Sequence, residues 1–121
     1  MIARIWRANA SHEKAGTYQR HFAATVVPHL KSIAGYEGAS LLRRKVDNGV
    51  ELLAVTLWES MDSIRAFAGA DPAMAVVDPE AQAMLTTFDT TVHNYEVAFT
   101  DDRRRGSGLR PQRSNQLDCS T

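Results

Sequence analysis

Residues 50–60, Val-Glu-Leu-Leu-Ala-Val-Thr-Leu-Trp-Glu-Ser, constrain this chain more than any other segment. They read as a β-strand that is apolar on both faces, ends at Trp58 and passes straight into a capped helix. Leu53, Val55 and Leu57 fill one face of such a strand, while Leu52, Ala54, Thr56 and Trp58 fill the other. A sheet with helices on one side normally turns polar residues to the opposite side. Two apolar faces need two covers. A second sheet is therefore expected over the open face, most simply that of an identical subunit.

The remaining segments supply the elements around that strand. Ile2 to Arg7 alternates and is rich in large residues, which predicts a first strand. Ser11 is placed to cap a helix in which Ala15, Tyr18, Phe22 and Val26 recur at spacings of three and four. Pro28 is expected to weaken or end that helix, although Leu30 and Ile33 extend the stripe, and Ala34-Gly35 marks the stop. Tyr36 to Val46 reads as a second strand. Asp47-Asn48-Gly49 then predicts a tight reversal, because Asn and Gly tolerate positive φ. The third strand, Val50 to Glu59, runs antiparallel to the second.

Ser60 caps the next helix, whose Met61, Ile64, Phe67 and Ala68 form a stripe that Gly69 closes. Pro72 and Pro79 each follow Asp and predict two short helical turns, with Met74, Val77, Met84, Leu85 and Phe88 packing inward. Val92 to Thr100 is the last predicted strand, with His93, Tyr95, Val97 and Phe99 on one side. The order β-α-β-β-α-β is that of a ferredoxin-like α+β fold, a four-stranded antiparallel sheet with helices on one face.

A chain of 121 residues fits one such domain, placed here over residues 1–100. Residues 101–121 are rich in Arg, Gly, Ser, Gln and Asn, and a disordered tail is expected there. The net charge is zero, so nothing in the balance favours nucleic acid or an anionic membrane surface. The one cysteine, Cys119, lies in the tail and leaves no intramolecular disulfide to form. The start of the chain lacks the apolar run of a signal peptide, and no window approaches the roughly 18 apolar residues of a membrane span. A cytoplasmic protein is the expectation.

The segments Ile2 to Arg7, Gly35 to Arg44, Leu57-Trp-Glu-Ser through Phe67, and His93-Asn-Tyr-Glu-Val97 resemble the antibiotic biosynthesis monooxygenase domain. The resemblance covers roughly residues 1–100 and implies a dimeric α/β barrel, two ferredoxin-like sheets packed face to face. The family includes cofactor-independent oxygenases of polyketide quinols, haem-degrading enzymes and proteins without a known activity. The haem-degrading pattern needs an Asn on the first strand, a Trp at the end of the third and a His on the helix after it. Trp58 matches, but Ile2 to Arg7 holds no Asn and no His lies between Glu59 and Val92. Axial ligation of iron by that helix is thereby unavailable, and haem breakdown is disfavoured.

The resemblance implies a small aromatic ligand, a quinol or polyphenol, in a pocket between sheet and helices. Trp58, Phe22, Trp6 and Phe67 are the aromatic side chains placed to shape it, with a core tryptophan whose N–H is satisfied as the alternative for Trp58. His29, next to Pro28, is the candidate general base, since an imidazole titrates near neutrality; a helix-end role bonding free carbonyls is the bland alternative. His93 alternates with Tyr95 and is expected at the dimer seam or the pocket, His12 lies in a first helical turn, and His21 is expected to face solvent. No metal is expected, as the histidines are at least eight positions apart with no cysteine beside them. Ser11-His-Glu-Lys14 is explained by helix capping, and no phosphate loop or dinucleotide fingerprint occurs. The expected activity is a cofactor-independent monooxygenase acting on an electron-rich aromatic; the alternative is a non-catalytic dimeric module that binds a small ligand.

Overall fold

The computed structural model describes residues 1–101. Strand β1 (Ile2–Ala10) pairs antiparallel with β3 (Gly49–Trp58) in a register that sets Ile2 against Trp58 and Ala10 against Val50. On the far side of β3 lies β2 (Tyr36–Val46), also antiparallel. The other edge of β1 is shared by two short strands, β4 (Thr87–Phe88) and β5 (His93–Glu96). The sheet order β2-β3-β1 followed by the last strands is the ferredoxin-like order predicted from the sequence, with the fourth position divided in two. No described helix is long and apolar enough to cross a membrane.

The helices all cover the face that carries Val50, Leu52, Ala54, Thr56 and Trp58. Ser11 caps α1 (His12–His21), its hydroxyl accepting the Lys14 amide at 3.1 Å. The helical run does not end at Pro28. It widens into one π-helical turn, Phe22–Val26, and resumes as α2 (Val27–Lys31). Proline lacks an N–H, and its ring crowds the carbonyl four residues back. The π turn absorbs this: the Val27 amide reaches back five residues to the Phe22 carbonyl, so the chain stays helical and Leu30 is delivered to the core.

Helix α3 (Met61–Ala68) starts at Ser60, which accepts the Ser63 amide, and stops at Gly69, whose φ of 94° suits glycine. Two clusters form the core. In one, Ala15, Tyr18 and Phe22 pack on Val50, Leu52 and Ala54; in the other, Leu30 and Ile64 close around Trp58. Each large side chain fully buried in this way contributes on the order of 1.5–3 kcal/mol.

Several predicted details differ. Strand β1 runs on to Ala10, because Ala8 and Ala10 continue the inward alternation beneath α1. Pro79 does open a helix, α4 (Pro79–Met84), but Pro72 does not. Residues 70–78 form a strap instead, with one turn at Pro72–Ala73 closed by the Met74 amide on Asp71, and fixed by a bridge between Met74 and Thr91 and by the Ala75 and Val92 amides on Thr90 and Ala73. These contacts with the β5 side replace the helical bonds, and Met74 points to solvent rather than inward. Phe88 belongs to a strand, and the last strand is shorter than predicted, ending at Glu96. The tail beginning at residue 102 lies outside the described residues.

Candidate functional site

A cleft opens between the sheet and the helices, at the seam of the two core clusters. It has about 60 Å³ that the centre of a water molecule can reach, within roughly 540 Å³ of atom-free space that includes its open mouth. Its floor is the inward face of β1 and β3, with Arg4, Trp6, Ala54 and Thr56. One wall is the helical run, where Tyr18, Phe22, Val26 and Leu30 recur about once per turn because the π turn keeps the stripe in phase. Phe67 of α3 closes one end, and Val76, Val77 and Asp78 of the strap, with Ala81, close another.

Three of the four predicted aromatic residues, Trp6, Phe22 and Phe67, line this cleft together. Trp6 is fixed by donating from Nε1 to the Asp89 carbonyl at 2.7 Å and packs at 6.2 Å from the Tyr18 ring. Trp58 stands one layer behind. It is fully buried, its ring stacks on Phe67 at 5.5 Å, and its Nε1 donates to the Thr56 hydroxyl at 2.8 Å. Both partners line the cleft, so Trp58 positions two wall residues without touching the space itself. His29 is exposed on α2, its ring 6.2 Å from that of Phe67, and it is not part of the lining.

The carboxylate in the cleft is that of Asp78, which the sequence analysis met only as the Asp before Pro79. Its Oδ1 accepts the Ala81 amide at 2.7 Å, and its Oδ2 lies 3.1 Å from His21 Nε2. Burial raises its pKa, but the Ala81 amide and then the His21 hydrogen bond and charge outweigh that, leaving Asp78 below the ordinary carboxylate value. His21 is buried, contrary to the expectation that it faces solvent, because α4 folds over the last turn of α1. Its Nδ1 lies 3.8 Å from Glu80 at the surface.

His21, Asp78 and Glu80 thus converge although 57 residues separate the first two. Only the Asp78 contact is within hydrogen-bond distance; Glu80 is at ion-pair distance, and one ligand atom from each of the three lies within 4.8 Å of the others. Tyr18 completes the group. Burial, and to a lesser degree the Asp78 charge, push its phenol well above the usual tyrosine range, so it remains protonated and able to donate.

The residues also bear on haem. The longer β1 includes Asn9, but that side chain lies on the face away from the helices and donates to Thr87 Oγ1 at 3.2 Å. Among the described residues no histidine, cysteine or methionine lines the cleft, and α3 holds no histidine. This donor set does not fit an iron porphyrin held as in the haem-degrading branch.

The backbone compares with solved structures at the level of the fold. A protein of Bacillus cereus taken to be an antibiotic biosynthesis monooxygenase is 15% identical with a TM-score of 0.60, over 84% of this chain and 95% of that one. The haem degrader MhuD of Mycobacterium tuberculosis, solved with two haems bound, is 21% identical with a TM-score of 0.55, over 84% and 100%. A Deinococcus radiodurans protein, also taken to be an antibiotic biosynthesis monooxygenase, is 14% identical with a TM-score of 0.56, over 84% and 97%. No curated protein matches the sequence. The sequence profile of the antibiotic biosynthesis monooxygenases covers residues 1–79, and with it the first three strands, α3 and the floor of the cleft. The chain belongs to the antibiotic biosynthesis monooxygenase family.

Proposed function

We propose that the cleft binds a small electron-rich aromatic, a quinol or polyphenol, and promotes its oxygenation by O₂ without a bound metal or flavin. The observation that carries this reading is the meeting, in one cleft, of aromatic walls with an ionised carboxylate and a protonated phenol. Trp6, Phe22 and Phe67 offer flat apolar faces to a ring, and Tyr18 donates to one of its oxygens. Asp78, rather than His29, is the proton acceptor, because it alone of the two reaches the cleft. His21, donating from Nε2 to Asp78, holds that carboxylate ionised and oriented to accept the proton.

The deprotonated ring supplies the electrons. At an activated CH₂ carbon one atom of O₂ becomes a carbonyl oxygen and the other leaves as water. The protein contributes orientation, exclusion of water and removal of one proton. Whether such a cleft is catalytic or only binds is decided by oxygen uptake with a panel of quinols, comparing the parent with Asp78→Asn, Tyr18→Phe and His29→Ala. Asp78→Asn keeps a capping side chain and is expected to slow uptake by about 10²-fold or more, while His29→Ala leaves it unchanged. Binding of the panel without oxygen uptake would leave the family fold serving as a ligand-binding module.

A second copy of the chain belongs to this reading. The face of the sheet away from the helices presents Ile5, Leu53, Val55 and Leu57 from its two central strands, with Leu42 and Tyr95 exposed beside them. We propose that a partner subunit covers it, sheet on sheet.

A further inference from the structure

Arg4 is out of place by any ordinary rule of packing. It sits at an inward position of a central strand with only 4% of its surface exposed, on the floor of the cleft. A guanidinium is costly to bury unless an anion or a full set of acceptors replaces water. Among the described residues no carboxylate pairs with it. Its acceptors among those residues are backbone carbonyls: Nη1 donates to Pro72 and Nη2 to Met74, the latter at 2.6 Å. A guanidinium carries five N–H groups, so these two bonds leave three. The Phe67 ring, 5.6 Å from its central carbon, supplies a weak π contact and no hydrogen-bond acceptor. Burial disfavours its charge, and no neighbouring anion offsets this.

We infer that Arg4 is the receptor for an ionised oxygen on the aromatic ligand, so that the cleft takes an aromatic acid or phenolate rather than a neutral ring. This deepens the proposed function and rests on its assignment of the cleft as the ligand site. The cleft has polarity. Arg4 stands beside Phe67 and Thr56, whereas Trp6, about 7 Å further along the same face of β1, stands beside Tyr18, with Asp78 beyond. A ring lying over Trp6 with its charged oxygen on Arg4 directs a second, unionised hydroxyl toward Asp78. The reverse orientation sets two negative charges together. Arg4 would thus choose the ligand and its direction.

The carbonyl bonds also tie β1 to the strap that carries Asp78, so loss of Arg4 could loosen the cleft for structural reasons alone. The test therefore reads charge preference, not affinity alone, and needs no turnover. Binding of 2-naphthoate and of its uncharged methyl ester is measured by calorimetry, with the parent, Arg4→Lys and Arg4→Gln. The parent is expected to bind the acid about tenfold or more tightly than the ester, Arg4→Lys to keep part of that ratio and Arg4→Gln to bring it to one. In a second arm, the absorbance of bound 2-naphthol is titrated against pH; the parent is expected to shift its ionisation to lower pH and Arg4→Gln not to. The first arm reports a carboxylate and the second a phenolate on the same guanidinium. Equal binding of acid and ester by the parent, with an unshifted naphthol titration, overturns the inference even if Arg4→Gln fails to fold. Oxygen uptake by neutral quinols alongside such a result would leave the oxygenase reading standing and remove only the anion site.

Discussion

At the scale of single residues, the site was only partly legible. The aromatic walls were, since Trp6, Phe22 and Phe67 occupy inward positions of periodic elements. The polar groups were not. His21 lies three residues past Tyr18, at the edge of the α1 stripe, and is buried because Asp78, 57 residues on, and the α4 it caps pack across it. Asp78 stands out only as the Asp before Pro79, and nothing local shows that its second oxygen reaches His21. Arg4 did carry a signal, a cation in phase with Ile2, Trp6 and Ala8, that a reading for strand content alone passes over. Asp78 also has a consequence for stability. Its folded pKa lies below the 3.8 of an unperturbed aspartate, so its charge stabilises the fold above about pH 4, and that contribution is lost as pH falls through the lower, folded value. Thermal melting between pH 6 and roughly pH 3 is expected to fall more steeply for the parent than for Asp78→Asn. Parallel curves would show that the ionised carboxylate of Asp78, with its Ala81 and His21 contacts, adds nothing to stability.

At the scale of elements, boundaries set by side-chain caps and glycine were the legible ones. Ser60 and Gly69 bracket α3 as their chemistry requires. Gly35 does more than end a helical run: at φ 91° it lies where any Cβ would collide with the Ser63 side chain, so α3 docks directly against the loop before β2. The π turn before Pro28 and the strap after Pro72 were not legible, because each depends on partners elsewhere in the fold. Proline states what a backbone cannot donate, and tertiary contacts decide whether the chain then turns, widens or extends. Since α3 brings Phe67 to both Trp58 and Arg4, its cap acts on the cleft as well as on stability. Ser60→Ala removes the acceptor of the Ser63 amide and is expected to cost about 1 kcal/mol, lowering the melting temperature by several degrees. Loss of stability with unchanged ligand binding would show that Phe67 is held by its ring contacts and not by the helix start.

At the scale of the whole molecule, the two apolar faces of β3 have had unequal treatment. The inward face is closed by helices, and Val50, Leu52 and Trp58 are almost wholly buried. The outward face stays open in one chain: Leu53, Val55 and Leu57 are half-covered only by their own neighbours, and Leu42 and Tyr95 are about half exposed. An isolated chain would carry a contiguous apolar patch at the centre of its sheet, which soluble monomers rarely do. Charge gives the face an edge without giving it a reason to stay in water, since Arg7 and Arg44 pair with Glu51 and Asp89 at one end. A second sheet laid on it would bury the central apolar side chains and leave that ion-paired rim wet, the usual anatomy of a stable interface. The parent is therefore expected to sediment at about twice the 13.4 kDa of one chain at micromolar concentration, and its melting temperature to rise with concentration. Val55→Glu sets a carboxylate at the middle of the patch, on the face of β3 opposite the cleft residues Ala54 and Thr56, and is expected to yield single chains. A parent that sediments as one chain would refute the partner sheet and leave the outward apolar face of β3 without a cover.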